Sequence, residues 1–183
     1  MRKFLGLLSA AALMLPIGVL TASPAAAAGG TTCTKASGIA YFKPPLPKLG
    51  STKKVSSKLS ANGSVSGCSG GGVKSGHFSF VQTSKPTPGN CQTLVTVNKN
   101  DPPTIGTLTI TWNTTKKSVA KGFKIKQTAA TEATTTGKIT SGLFAGKTIS
   151  GTVTFTAEKG GCTQKDLSKV TFVNKKGTKF VVK

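Results

Sequence analysis

The sequence predicts an all-β protein: an antiparallel β-sandwich or flattened barrel, formed as a single domain over residues 29–183 and held by two disulfides. Three observations carry this. Apolar and polar residues alternate with a period of two along many short runs. Turn-forming residues separate those runs. Four cysteines, an even number, sit in a chain that opens with an export leader.

The leader comes first. Arg2 and Lys3 supply a positive start, Phe4 to Leu20 is apolar, and Ser23 to Ala28 offers small residues for cleavage. The apolar run is short for a spanning helix and Pro16 interrupts it, so residues 1–28 read as a signal peptide cleaved after Ala27 or Ala28. The mature chain is then about 155 residues, the size of one ordinary domain. No second apolar run follows, so no transmembrane segment is expected after cleavage. The expected location is secreted, extracellular or cell-wall associated.

The strands follow in order. Tyr41 and Phe42 are adjacent on a strand, so one of them faces out, and they lead into an extended segment, Lys43-Pro44-Pro45-Leu46-Pro47. Asn62-Gly63 carries a turn signal. Phe78 and Phe80 share a face, which turns His77 and Ser79 to the other side. Pro86, Pro88, Gly89, Pro102 and Pro103 mark loops. Thr107 to Trp112 places Leu108, Ile110 and Trp112 inward and three threonines outward. Asn113 to Lys117 turns the chain into Phe123-Lys124-Ile125-Lys126, with lysines outward. Thr128 to Thr136 contains alanines, but its five threonines argue against a helix. Gly151 to Ala157 points Val153, Phe155 and Ala157 inward. A short turn at Gln164 to Ser168 is the one place where a helix is entertained. Val170-Thr171-Phe172 and Phe180-Val181-Val182, joined by Asn174 to Gly177, complete the alternation. The expected core is Phe78, Phe80, Leu94, Val95 or Val97, Leu108, Ile110, Trp112, Phe123, Ile125, Ile139, Phe155 and Phe172.

Cys33 and Cys68 lie symmetrically about Gly50-Ser51, as the two ends of one long hairpin would. That favours Cys33–Cys68 and leaves Cys91–Cys162 as a distant clasp. Each bridge contributes about 4 kcal/mol by chain entropy. No Cys-x-x-Cys spacing exists, so zinc is not expected, and no pattern calls for a cofactor.

Ser141 to Thr148 reads SGLFAGKT and ends like a phosphate-binding loop. Only three residues separate Gly142 from Gly146 where four are needed between the glycines, and a strand follows rather than a helix. The stretch is therefore hairpin sequence, with Gly146 supplying positive φ in a tight turn. Trp112 belongs to the core face. His77, the one histidine, faces water, and only four acids are present: Asp101, Glu132, Glu158 and Asp166. A hydrolytic triad or a carboxylate pair is not expected from so few groups.

The formal charge is +21, or +19 once Arg2 and Lys3 leave with the leader. The mature chain has lysine and no arginine. Arginine dominates base readout, so sequence-specific nucleic-acid binding is not expected. Lys116, Lys117, Lys121, Lys124 and Lys126 crowd one hairpin; Lys169, Lys175, Lys176 and Lys179, with Lys183, crowd the C-terminal one. If the two are neighbours, their positive field is concentrated, and the partner would be an anionic envelope polymer or an acidic polysaccharide. Exposed lysines also protect sheet edges. The expectation is a secreted, non-enzymatic protein that binds such polymers weakly, with an extracellular hydrolase or a secreted enzyme inhibitor as the alternative.

Gly106 to Asn113, Ser141 to Thr152 and then Cys162 resemble a group of small exported actinobacterial proteins. These share a signal peptide, four cysteines, Gly/Thr-rich strands, a Gly-Thr-x-Thr-x-Trp strand and a Ser-Gly-x-Phe-x-Gly turn. The resemblance implies an exported β fold and no activity, and the chain departs from the group in its lysine load.

Overall fold

A computed structural model describes residues 29–98 and 100–183. The signal peptide expected over residues 1–28 lies outside the described residues. The strands are β1 (Thr31–Leu46), β2 (Lys58–Ser69), β3 (Ser75–Gln82), β4 (Thr104–Trp112), β5 (Lys117–Ala129), β6 (Glu132–Lys138), β7 (Ser141–Gly142), β8 (Thr148–Ala157), β9 (Leu167–Asn174) and β10 (Phe180–Val182). Among the described residues there is one helix, α1 (Cys91–Val95), between β3 and β4.

Every strand pairing is antiparallel, and β9 returns to pair with β1. The sheet therefore closes, and of the two expected architectures the chain adopts the barrel. Closure leaves no free edge for another chain to extend. Ten strands fill eight positions. β6 and β7 pair with β5 in one register, Thr136 opposite Lys124 and Gly142 opposite Ser118, so they are one interrupted strand. β9 and β10 likewise run in the same direction between β8 and β1. The C-terminal pair is thus not a hairpin; residues 175–179 loop out of a single strand position.

The alternation read from sequence sets the inside of the barrel. Leu108, Ile110 and Trp112 are buried, and Phe123 and Val170 face in with them. Trp112 Nε1 donates to Ser118 Oγ at 2.8 Å, and Phe144 packs edge-on against the indole at 5.4 Å. Gly122, at φ 72°, is the extra residue of a bulge, which lets both Ala120 and Phe123 point inward although three positions apart. Ser141–Thr148 is the expected turn, with Gly142 and Gly146 at φ 86°, and β8 follows it. Thr128 to Thr136 is strand and turn, as its threonines require.

Four expectations need correction. Asn62-Gly63 is not a turn but the middle of β2, where Gly63 gives room rather than positive φ: a Cβ there would meet the Phe78 ring at 2.5 Å. Gln164 ends a turn and Leu167 and Ser168 already belong to β9, so the stretch holds no helix; the helix lies instead at α1. Its start is a capping box, in which Thr93 N donates to Asn90 Oδ1 and Asn90 N to Thr93 Oγ1. Val95 is exposed, and Val97 is half-buried without joining the core. Ala157 is exposed at the end of β8.

Both disulfides form as expected. Cys33 and Cys68 are register partners across the long β1–β2 hairpin, and Cys91–Cys162 ties α1 to the β8–β9 loop. That loop is pinned further by Glu158, which accepts from the Ser168 hydroxyl, from Lys165 Nζ at 2.9 Å and from Ser168 N at 3.0 Å. The Ser168 hydroxyl first, then Lys165 and the Ser168 amide, hold the Glu158 carboxyl down from 4.5 to about 2. A depressed carboxyl stabilises the fold above its unfolded pKa, and that contribution is lost as pH falls through the folded value. The barrel therefore loses stability between pH 4.5 and about 2. Glu158→Gln should flatten the acid limb of Tm against pH in this window, measured by thermal melts; parallel curves for the two proteins would contradict it.

Candidate ligand-binding site

A barrel of eight strands has an interior just wide enough to be filled by side chains or to hold one small ligand. The inward residues decide between these, and they differ along the axis. At the end where β1 and β4 meet the β2–β3 and β4–β5 turns, Val65, Ile110, Trp112, Ile139, Ile149 and Val182 are almost wholly buried. Large side chains fill that end.

The middle is different. On β1 the inward positions are Ala36, Gly38 and Ala40; on β2 they are Ala61 and Gly63. Small residues at these five inward positions, on two of the eight strand positions, leave the space beside them open. Rings from the flanking strands reach over this wall. Phe172 lies against Gly38 and Phe78 against Gly63, where added Cβ atoms would meet the rings at 2.6 and 2.5 Å. The two rings stand 6.1 Å apart, and Phe80 and Phe123 stand 6.0 Å apart.

The space left is a cavity of about 220 Å³. Phe42, Phe78, Phe80, Phe123, Phe155, Phe172 and Phe180 line it, together with Ala36, Ala40, Ala61 and Ala133. All eight strand positions contribute. Its polar lining is Thr104, Gln127 and Thr135, and none of the described residues that line it is ionisable. Thr135 Oγ1 is used within the wall, donating to Gly151 O at 3.3 Å. Protein interiors normally leave few voids larger than a water molecule. An enclosed, empty space of this size would forfeit about 5 kcal/mol of packing at the usual cost per unit volume.

The second end is capped rather than packed. Helix α1 crosses it, and Leu94 reaches both the inner cavity and a second, outer pocket of about 440 Å³. The start of α1 is tied by Cys91–Cys162, by Cys91 N donating to Pro47 O at 2.8 Å, and by Asn90 Nδ2 donating to Ser51 O at 2.9 Å. Its last turn is held by Gln127 Nε2, which donates to Leu94 O. The outer pocket shares Phe42, Leu59, Leu94, Thr104, Ile125 and Gln127 with the inner one, so the two are contiguous.

Apart from Lys126, which lines the outer pocket, the sequence-predicted site residues line neither space. Lys116, Lys117, Lys121, Lys124, Lys126, Lys169, Lys175, Lys176 and Lys179 are all exposed. β5 and β9 are separated by β6 and β8, so the two lysine-rich segments are not neighbours. Other lysines stand on β1 (Lys35, Lys43), β2 (Lys58) and β6 (Lys138), so positive charge is spread over five of the eight strand positions and is missing from β3, β4 and β8. Lys175 pairs with Glu132 at 2.8 Å. His77 is exposed on β3 opposite Ser64 and Thr111, neither of them an acid. Among the described residues no group of three or more His, Cys, Asp or Glu side chains could hold a metal ion.

Fold and interior together define a closed, disulfide-linked antiparallel barrel, packed at one end, hollow and aromatic in the middle, and capped by a tethered helix. Compared with family models, with curated proteins and with solved structures, the chain finds no match in any of the three. The resemblance to small exported actinobacterial proteins therefore stays a likeness of the motifs at Gly106–Asn113 and Ser141–Thr152.

Proposed function

We propose that this is a secreted, non-enzymatic binding protein whose barrel interior holds one small apolar molecule, with extracellular or cell-wall-associated action. The observation that carries the reading is the 220 Å³ cavity walled by seven phenylalanines and lacking any ionisable lining residue among those described. Such a wall offers burial and ring contacts and no group for acid–base or nucleophilic chemistry. The two disulfides support an oxidising compartment. Calorimetric titration of decanol into the oxidised protein tests the reading. The expected result is saturable binding at one site with a negative heat-capacity change, the mark of buried apolar surface. Absence of saturable heat would overturn it.

A second reading concerns the surface. Exposed lysines on five of the eight strand positions, with a formal charge of +19 once the leader is removed, favour weak attraction to anionic polymers such as acidic polysaccharide or envelope polymer. Charge spread in this way gives attraction without a fixed docking geometry. The protein should be retained on a heparin-like column at low salt and released by modest salt, because screening acts within about 10 Å at 0.1 M. Passage through the column at low salt would remove this reading without touching the first.

A further inference from the structure

The inner cavity and the outer pocket differ in chemistry, and their junction suggests what kind of molecule spans them. The inner space is lined mainly by apolar side chains, with Thr104, Gln127 and Thr135 as its polar groups and no ionisable residue. The outer pocket is lined by apolar residues, among them Phe42, Leu59 and Ile125, and by polar groups. Among these are Lys85 and Lys126, with Asp101 as the one acid in its lining. Ser57 also lines it, and its buried hydroxyl oxygen has no hydrogen-bond partner among the described residues. An unmet buried hydroxyl is costly unless a ligand or solvent group reaches it. Leu94 stands between the two spaces, on the five-residue helix whose last turn is held to the barrel by Gln127.

We infer that the ligand is a single-chain amphiphile with an acidic head: its apolar chain lies in the inner cavity, and its head lies in the outer pocket beside Lys85, Lys126 and Ser57. This inference rests on the proposed binding of an apolar molecule and specifies its class. A purely apolar ligand would leave the outer pocket to solvent. A cationic head would meet two lysines in a field that is already strongly positive, and only Asp101 would oppose that repulsion. A carboxylate, sulfate or phosphate head is favoured by the same field.

The test compares decanoate, decanol and decyltrimethylammonium, which share a chain and differ in head, by calorimetry on the full oxidised protein. A Lys85→Met/Lys126→Met variant is measured beside it. Both lysines are exposed, and the fluorescence of the buried Trp112 reports that the variant is folded. Decanoate should bind about tenfold more tightly than decyltrimethylammonium, with decanol between them. The double variant should lose about tenfold in decanoate affinity and keep its affinity for decanol within about twofold. Equal affinities for the three heads, or a variant that binds decanoate unchanged, would overturn the amphiphile assignment and leave the apolar-carrier reading standing. Failure of decanol itself to bind would remove that reading, and this inference with it.

Discussion

Replacing Cys91 and Cys162 together by alanine should lower the unfolding free energy by about 4 kcal/mol. The bridge spans 71 residues of sequence, against 35 for Cys33–Cys68, which adds only about 0.6 kcal/mol of loop-closure entropy. The greater difference is local. Cys33 and Cys68 face each other within a continuous ladder that runs from Thr32–Ser69 to Lys43–Lys58, so β1 and β2 stay paired without the bridge. Helix α1 belongs to no ladder. Its remaining ties are the hydrogen bonds to Pro47, Ser51 and Gln127, the Val55–Gly89 bridge just before it and the contacts of Leu94. Losing Cys91–Cys162 should therefore uncap the barrel as well as destabilise it. Urea titration of the non-reduced proteins measures the first effect; faster dissociation of decanol measures the second. A stability loss below about 1 kcal/mol would show that the clasp is redundant.

Ala133→Phe should abolish binding while leaving the protein at least as stable. Ala133 is buried on β6, opposite Gln127 and Val153, with its methyl group on the cavity. A phenyl ring there would occupy space the ligand needs, and decanol affinity should fall by about 100-fold. In a tightly packed core the same change would cost about 1–3 kcal/mol through overpacking. In a hollow barrel it regains contacts the void forfeits, so Tm should hold or rise. A variant that melts earlier and still binds would place the ligand elsewhere and the packing closer than described.

The fold was legible because its strands obey the period of two. Leu108, Ile110 and Trp112 declare an inside, and the threonines between them declare an outside. The bridge pairing followed from the symmetry of Cys33 and Cys68 about one hairpin. The interior was harder to read, since core reasoning looks for large residues. Phe78, Phe80, Phe123, Phe155 and Phe172 were recognised as inward, but whether they pack together or surround a space depends on what faces them. The answer lay in Ala36, Gly38, Ala40, Ala61 and Gly63, which alternate inward as surely as the phenylalanines do. Gly63 was masked by Asn62, because Asn-Gly usually marks a turn. Helix α1 is too short for any periodicity, and its signal was the pair Asn90 and Thr93. The lysines were visible at once. Their distribution was not, because it depends on β6 and β8 lying between β5 and β9.

The central claim is that the middle of the barrel is hollow and accepts apolar matter. Diffraction from crystals held under xenon pressure addresses it most directly, since xenon enters apolar cavities without needing a head group or an opened cap. A hollow barrel predicts a xenon peak among Phe78, Phe123, Phe155 and Ala133 that vanishes in Ala133→Phe. Interdigitated phenylalanine rings with no xenon between them would contradict it.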